Sequence, residues 1–366
     1  MNTITVSPGD LDEALRNNRQ PGTFFILHAG EYTTRGGFAF ESSDLCALAP
    51  ECVISGAGKN RTIIRALNVD TQVNGQDARY AEILTAGART KGKSDHVGLR
   101  DFTLDCSAVT VPVIGIHAFS TCATIENVRV TGIWGRRDWE GPVTEGFGII
   151  VNNAWEANYD GGHTVRRCVV EGADTHSVEN YMTGVYVGCV QRGKSIAYSR
   201  VLETCVLGIS EMHAAYGLNN NLLIEDCEAH NSIRALFCDT KPGYDVQVTR
   251  FRGHDCRWAL ELHAYDDDVR KRVTLTECKF VFRRVDDWAQ AVLLEDFSGS
   301  GRQSIADIEL VNSVFVAQGP NASKGRSNGA AVEGVRTFGC RWMPVDAEHP
   351  WQAPVLQRGA GAWVEK

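Results

Sequence analysis

One short pattern recurs along this chain: a small residue, an aliphatic one, then an alternating strand. It reads GIHAFS from Gly115, GIIVNN from Gly148, GVYVGC from Gly184 and GISEMH from Gly208, and continues as ALFCDT from Ala235, ALELHA from Ala259 and AVLLED from Ala291. Successive starts lie 33, 36, 24, 27, 24 and 32 residues apart. A second pattern interleaves with the first: IENVRV from Ile125, VRRCVV from Val165, IEDCEA from Ile224, VTRFRG from Val248, LTECKF from Leu275 and LVNSVF from Leu310. A unit of about 24 residues has room for short strands and none for a helix, so it is one coil of a solenoid whose apolar face is buried only by stacking.

Alternation then sorts the side chains. The second and fourth positions of the first pattern (Ile116 and Ala118, Ile149 and Val151, Val185 and Val187, Leu236 and Cys238, Leu260 and Leu262, Val292 and Leu294) are apolar and point inward. Cys168, Cys227, Phe251 and Cys278 form an inward stack in the second pattern. Glu211 is the polar exception. Either it is buried beside His213 or an arginine, because a buried carboxylate needs a partner, or the strand bulges there and Glu211 faces the cleft. Spacings above 24 mark loops inserted between coils. They are rich in aromatic and charged residues and cluster on one side, and loops longer than a turn requires usually carry function.

The ends fit the same architecture. SPGDLDEALRNN reads as a short amphipathic helix capped by Ser7 or Asp10, suited to closing an open solenoid end. The expectation is an all-β, single-stranded right-handed parallel β-helix with a short N-terminal capping helix. It forms a single domain over 1–366, with a cap and first strand at 1–30, coils at 31–342 and a C-terminal cap or tail at 343–366.

A formal charge of −8 argues against nucleic-acid binding, which needs a basic footprint. No run of 18 apolar residues offers a membrane span. MNTITVSPGD lacks a basic region followed by an apolar one, so the expectation is a cytoplasmic protein, or a secreted one whose leader is not part of this sequence. The 12 cysteines include no C-x-x-C pair and sit mostly in apolar strands, which reads as reduced core thiols; a modest number of disulfides stays open. GAGKNRT lacks the upstream glycine and the hydroxyl residue after Lys59 that a phosphate loop requires.

The opening SPGD helix with AGEY, the SGAGKNRTII turn, the SDHVGLRDFTLDC strand pair and the alternating GIxV and IxNxxV strands resemble the right-handed parallel β-helix proteins of the pectin-lyase-like superfamily. The resemblance runs from about Thr3 to Trp342. It implies the fold and, since most members act on carbohydrate polymers, a poly- or oligosaccharide substrate. It does not choose an activity. GHDCRWALELH stands where a polygalacturonase GHG segment would fall, but Asp255 replaces the second glycine, and no NTD or RIK exists. The uronan-epimerase and pectate-lyase signatures are absent too.

Stacking places outward residues in columns about 4.8 Å apart. One column reads His117, Ile150, Tyr186, Ser210, Phe237, Glu261, Leu293, and the other Phe119, Asn152, Gly188, Met212, Asp239, His263, Glu295. Asp239, Glu261, His263 and Glu295 are therefore the candidate catalytic residues. Neighbouring carboxylates do not ionise independently, so one is expected to stay protonated as general acid while the other serves as base or nucleophile. Asn152, Trp155, Tyr186, Glu211, His213, Lys241, Tyr244, Arg257 and Tyr265 are candidate substrate-binding residues, the aromatics offering sugar rings a face. The bland alternative is a solvated charge ladder on an outward strand. Asp266, Asp267 and Asp268 read as a solvated turn rather than a Ca²⁺ site, because three adjacent side chains cannot all face one ion; no cofactor is expected.

These residues suggest an enzyme that cleaves or transfers a glycosidic bond by carboxylate acid/base catalysis, of glycoside hydrolase type. A polysaccharide lyase is the alternative, with His263, Lys241 or Tyr244 as base and Arg234, Arg257 or Lys241 neutralising a uronate. A third reading is a non-catalytic glycan-binding or phage tailspike-like β-helix.

Overall fold

A computed structural model of the chain describes residues 2–18, 20–36, 51–69, 72–73, 79–87, 96–119, 122–136, 144–152, 162–175, 179–188, 198–218, 221–238, 245–264, 272–283, 289–296, 304–328, 331–355 and 363–366. Its strands form two long sheets, one of 13 strands and one of 19. All named pairings are parallel except Gln72–Val73 against Arg79–Gly87. Each coil contributes a strand to the first sheet, such as Thr124–Glu126, Thr164–Arg166 or Leu222–Glu225. The larger sheet bends into two faces, because Cys205–Leu218, Glu228–Cys238 and Arg252–Ala264 each run along one face and continue into the other. The architecture is the expected right-handed parallel β-helix.

The bend out of the first sheet is a single left-handed residue repeated from coil to coil: Asp101, Asn127, Arg167, Glu203, Asp226, Arg250, Glu277 and Asn312, with φ between 49° and 62°. A left-handed residue costs strain when it carries a Cβ, and the ladder offsets this with bonds of its own. The Asn127 N–H donates to the Arg166 carbonyl at 2.9 Å, Arg167 to Leu202 at 3.0 Å, and Asp226 to Thr249 at 3.1 Å. The residue after each corner turns inward. There Cys168, Cys227 and Cys278 are buried, and their thiols donate to the carbonyls of Arg166, Glu225 and Thr276. The ten cysteines among the described residues are unbridged, and burial pushes the thiols of these three up to about 12.

Outside the fourth repeat, whose second and fourth positions Ile209 and Glu211 the alternation also points inward, the inward assignment holds at each position named from Ile116 to Leu294, all of them buried. The fourth repeat is placed differently. Val185 pairs with Tyr216 and Tyr186 with Gly217, so the strand equivalent to GVYV begins at Ala215, not Gly208. The 14-residue strand Cys205–Leu218 carries an irregularity between Leu207 and Met212, and the GIS stretch crosses the edge between two faces. Ile209, read as inward, is 52% exposed, and Ser210 and Met212 leave the columns. Tyr216 takes the inward place, its hydroxyl donating to the Thr204 and Glu228 carbonyls at 2.7 and 2.9 Å.

The helix Leu11–Asn17 seats Leu11 and Leu15 on the solenoid end. Asp10, not Ser7, is its cap, accepting from the Asp12 and Glu13 N–H groups. No helix among the described residues is long and apolar enough to cross a membrane.

Candidate functional site

The third face stacks Val113–Phe119, Gly146–Asn152, Glu179–Val187, the second halves of the three long strands, Ala289–Asp296 and Ala322–Asn328. Its central column reads Thr85, His117, Ile150, Tyr186, Gly217, Phe237, Glu261, Leu293 and Arg326. A close approach explains the glycine: a Cβ on Gly217 would lie 2.5 Å from the Tyr186 ring. The column is not a wet surface. Ile150, Phe237, Leu293 and His117 are buried, and Glu261 is 0% exposed. A solvated charge ladder is therefore the wrong description of Glu261.

Glu261 stands between Phe237 and Leu293 on the neighbouring rungs. Its carboxylate is held from two sides. The Arg234 Nε donates to Oε2 at 2.5 Å, and the His263 Nε2 lies 2.5 Å from Oε1. His263 pairs across the rung with Glu295, whose Oε2 is 3.5 Å from the same Nε2. Asn328, one rung further, donates to Glu295 Oε1 at 3.3 Å. One imidazole nitrogen thus sits between two carboxylates. Glu295 is 26% exposed and faces outward, whereas Glu261 is sealed.

Arg234 organises the cluster. Its guanidinium lies over the Trp258 ring at 5.0 Å and the Phe237 ring at 5.1 Å, a desolvated setting in which cation–π attraction is strong. Its Nη1 is 3.0 Å from His213 Nδ1, and His213 Nδ1 is 3.2 Å from Glu179. A continuous chain of ionisable groups therefore runs from Glu179 through His213, Arg234, Glu261 and His263 to Glu295. Burial drives the Glu261 carboxyl up. The His263 hydrogen bond and the Arg234 charge outweigh burial, and the group rests below the usual carboxylate range. Burial pushes His213 down to about 4, aided by Arg234 and opposed by Glu179. Arg234 and His263 thus favour the ionised form of Glu261.

Glu211 and Arg257 belong elsewhere. Glu211 pairs in register with Glu179 beside the strand irregularity, its Oε1 2.9 Å from Arg283 and 3.5 Å from Arg257. Arg283 also donates to the Asp255 carbonyl at 2.9 Å, so this ion cluster ties the edge between two faces together. The bulge and the arginine partner both occur, and neither puts Glu211 in the central column. His213 does join the site, through Arg234. Tyr186 packs edge-on against Phe147 at 5.6 Å, further along the column. Asn152 pairs with Phe119 at the strand end. Asp239, Lys241, Tyr244, Trp155 and Tyr265 lie outside the described residues, as do Asp266, Asp267 and Asp268.

A second buried acid–imidazole pair occupies the same face. Glu82, 1% exposed, lies 3.4 Å from His117 Nδ1 and accepts from Thr85 at 3.4 Å. Sequence reasoning passed over Glu82, because AEILTA has no small residue–aliphatic opening like the other repeats. It gave Arg234 as a group neutralising a uronate or balancing the local acids and not as a partner of Glu261, because Arg234 stands one residue ahead of the repeating strand. Among the described residues, two groups have metal-ligating side chains within 4.8 Å of one another: Glu261 with His263 and Glu295, and Cys205 with Glu228 and His230.

No family model matches the sequence, and no curated protein matches it. Solved structures do match. The A-module of the mannuronan C-5 epimerase AlgE6 from Azotobacter vinelandii is 16% identical, covering 97% of this chain and 93% of that one with a TM-score of 0.53. The corresponding module of AlgE4 is 14% identical, over 97% and 92%, with a TM-score of 0.50. A polygalacturonase from Erwinia carotovora ssp. carotovora is 12% identical, over 100% and 98%, with a TM-score of 0.53. At these identities the likeness is one of fold, and the chain has the parallel β-helix architecture of those carbohydrate-active enzymes over nearly its whole length.

Proposed function

We propose that the chain is a carbohydrate-active enzyme that cleaves or transfers a glycosidic bond of a poly- or oligosaccharide at the Glu261–His263–Glu295 face. The observation that supports this reading is one imidazole nitrogen held between a sealed, arginine-locked carboxylate and an outward-facing one. Placing an ionised carboxylate in an apolar column costs several kcal/mol, roughly, unless it is paired, and such arrangements concentrate where chemistry is done. Two proteins of the same fold are by name a mannuronan epimerase and a polygalacturonase, which directs the search toward sugar polymers.

Each group then has a role. Glu261 fixes the His263 ring and stabilises its imidazolium. Glu295 meets the substrate, and His263 returns a proton to it, so that Glu295 protonates the leaving glycosidic oxygen. Asp239 keeps its place from the sequence as the second carboxylate, the one that activates water or attacks the anomeric carbon. Arg234 keeps Glu261 charged while the proton moves.

The test is a panel of uronate and neutral glycans assayed for reducing ends and for ultraviolet absorbance from an unsaturated product. Reducing ends without that absorbance, lost in Glu295→Gln, support hydrolysis. Absorbing product selects the lyase. Binding with no product from any glycan would overturn the enzyme reading.

A further inference from the structure

Cys205, Glu228 and His230 converge on the outer side of the second face, away from the column described above. The Cys205 Sγ, a Glu228 carboxylate oxygen and a His230 ring nitrogen all lie within 4.8 Å of one another. Strand register explains the convergence. Cys205 and Glu228 are direct partners on adjacent coils, and His230 is two residues beyond Glu228 on the same side of its strand. The His230 Nε2 is 3.5 Å from Glu228 Oε2. On the next coil His254 pairs with His230, and the two rings stack at 4.7 Å with 16° between planes. A thiol, a carboxylate and two imidazoles thus stand on three successive rungs whose backbone is fixed by the ladder.

We propose that Cys205, Glu228 and His230, with solvent as fourth ligand, form a binding site for a zinc-class divalent ion that ties two adjacent coils together. One sulfur, one nitrogen and one carboxylate oxygen, with a fourth position left to solvent, suit the tetrahedral preference of that ion. The Glu261, His263 and Glu295 group is the weaker site for a cation, because the Arg234 guanidinium already holds Glu261. On the second face Arg252 approaches only the other oxygen of Glu228, at 3.4 Å, leaving Oε2 toward His230. Binding exchanges the thiol proton for the metal–sulfur bond and releases H⁺ to solvent.

The experiment is a titration of the chelator-stripped full chain with Co²⁺. One equivalent is expected to give a near-ultraviolet thiolate-to-cobalt band together with the visible bands of a tetrahedral ion, and Zn²⁺ should displace both. Cys205→Ser should remove the ultraviolet band, and His230→Gln should weaken cobalt binding by about tenfold or more, the loss of one ligand being worth at least 1.4 kcal/mol or so. Absence of the bands overturns the proposal, as does an ultraviolet band that survives in Cys205→Ser. If Cys205→Ser fails to fold, His230→Gln decides, and an unchanged spectrum and affinity there overturn it equally.

Discussion

Replacing Arg234 by methionine keeps most of the side-chain volume and removes the cation that holds Glu261. Because Glu261 is 0% and Arg234 12% exposed, solvent screening reduces the effect little. Removing one partner of a buried pair typically costs 3–5 kcal/mol, and since His263 stays at 2.5 Å the expected loss is the lower bound, about 3 kcal/mol or a 150-fold shift in the folding equilibrium. The pH dependence gives the effect a signature. In the wild type Glu261 sits below its ordinary value, so its contribution is present above that value and is lost as pH falls through the lowered one. In Arg234→Met burial dominates and the carboxyl rises, so its penalty at neutral pH is relieved on acidification. Urea unfolding of wild type and variant at neutral pH and near pH 4.5 should show the gap narrowing toward acid. Arg234→Met in a Glu261→Gln background should cost much less, because no buried charge is then stranded. An Arg234→Met protein within about 0.5 kcal/mol of wild type at neutral pH, or an equal cost in both backgrounds, would refute the pairing.

Further expectations concern catalysis, packing and acid stability. His263→Gln and Glu295→Gln should each lower turnover by about 10²–10⁴ with the circular dichroism spectrum unchanged, and full activity in either would remove the proton relay. Gly148→Ala should destabilise by about 1–3 kcal/mol or more in urea, since its Cβ would lie 2.2 Å from Val170 Cγ1 and 2.6 Å from the Gly184 carbonyl. Cys168, Cys227 and Cys278 should resist a thiol reagent in the native protein at neutral pH and react after unfolding, because burial holds them as thiols; rapid native labelling by mass spectrometry would contradict this. His163 and His213, both pushed down to about 4 by burial, are neutral when folded, so the unfolded chain gains protons first and stability falls as pH drops from 6.5 toward 4. His163→Gln should flatten that slope in a pH series of urea melts, even though it forfeits the bond that the Ala123 N–H donates to the ring at 3.1 Å.

Period-2 alternation in coils of about 24 residues was enough to assign the inward residues, because a one-residue slip would put every apolar side chain in water. That logic named the Ile116-to-Leu294 stack and put Glu261, His263 and Glu295 on adjoining rungs. It misplaced GISEMH because alternation carries no information about a bend. A glycine followed by an isoleucine looks the same on a strand as on an edge, and only the pairing of Val185 with Tyr216 distinguishes them. The left-handed corners were equally hard to see. Asn and Asp tolerate that conformation, but here Arg, Glu and Asp share the ladder with Asn, so residue type was a weak marker.

What the sequence determined by itself is the solenoid, its inward face outside the fourth repeat and the placing of Glu261 and His263 on the rung beside Glu295. What only the tertiary structure decided is the electrostatic role of each. Whether a carboxylate is an acid, a base or an anchor depends on burial and on which cation reaches it through space. Glu261 becomes an ionised anchor because Phe237 and Leu293 exclude water while Arg234, 27 residues away in the chain, is brought to 2.5 Å by the stacking of coils.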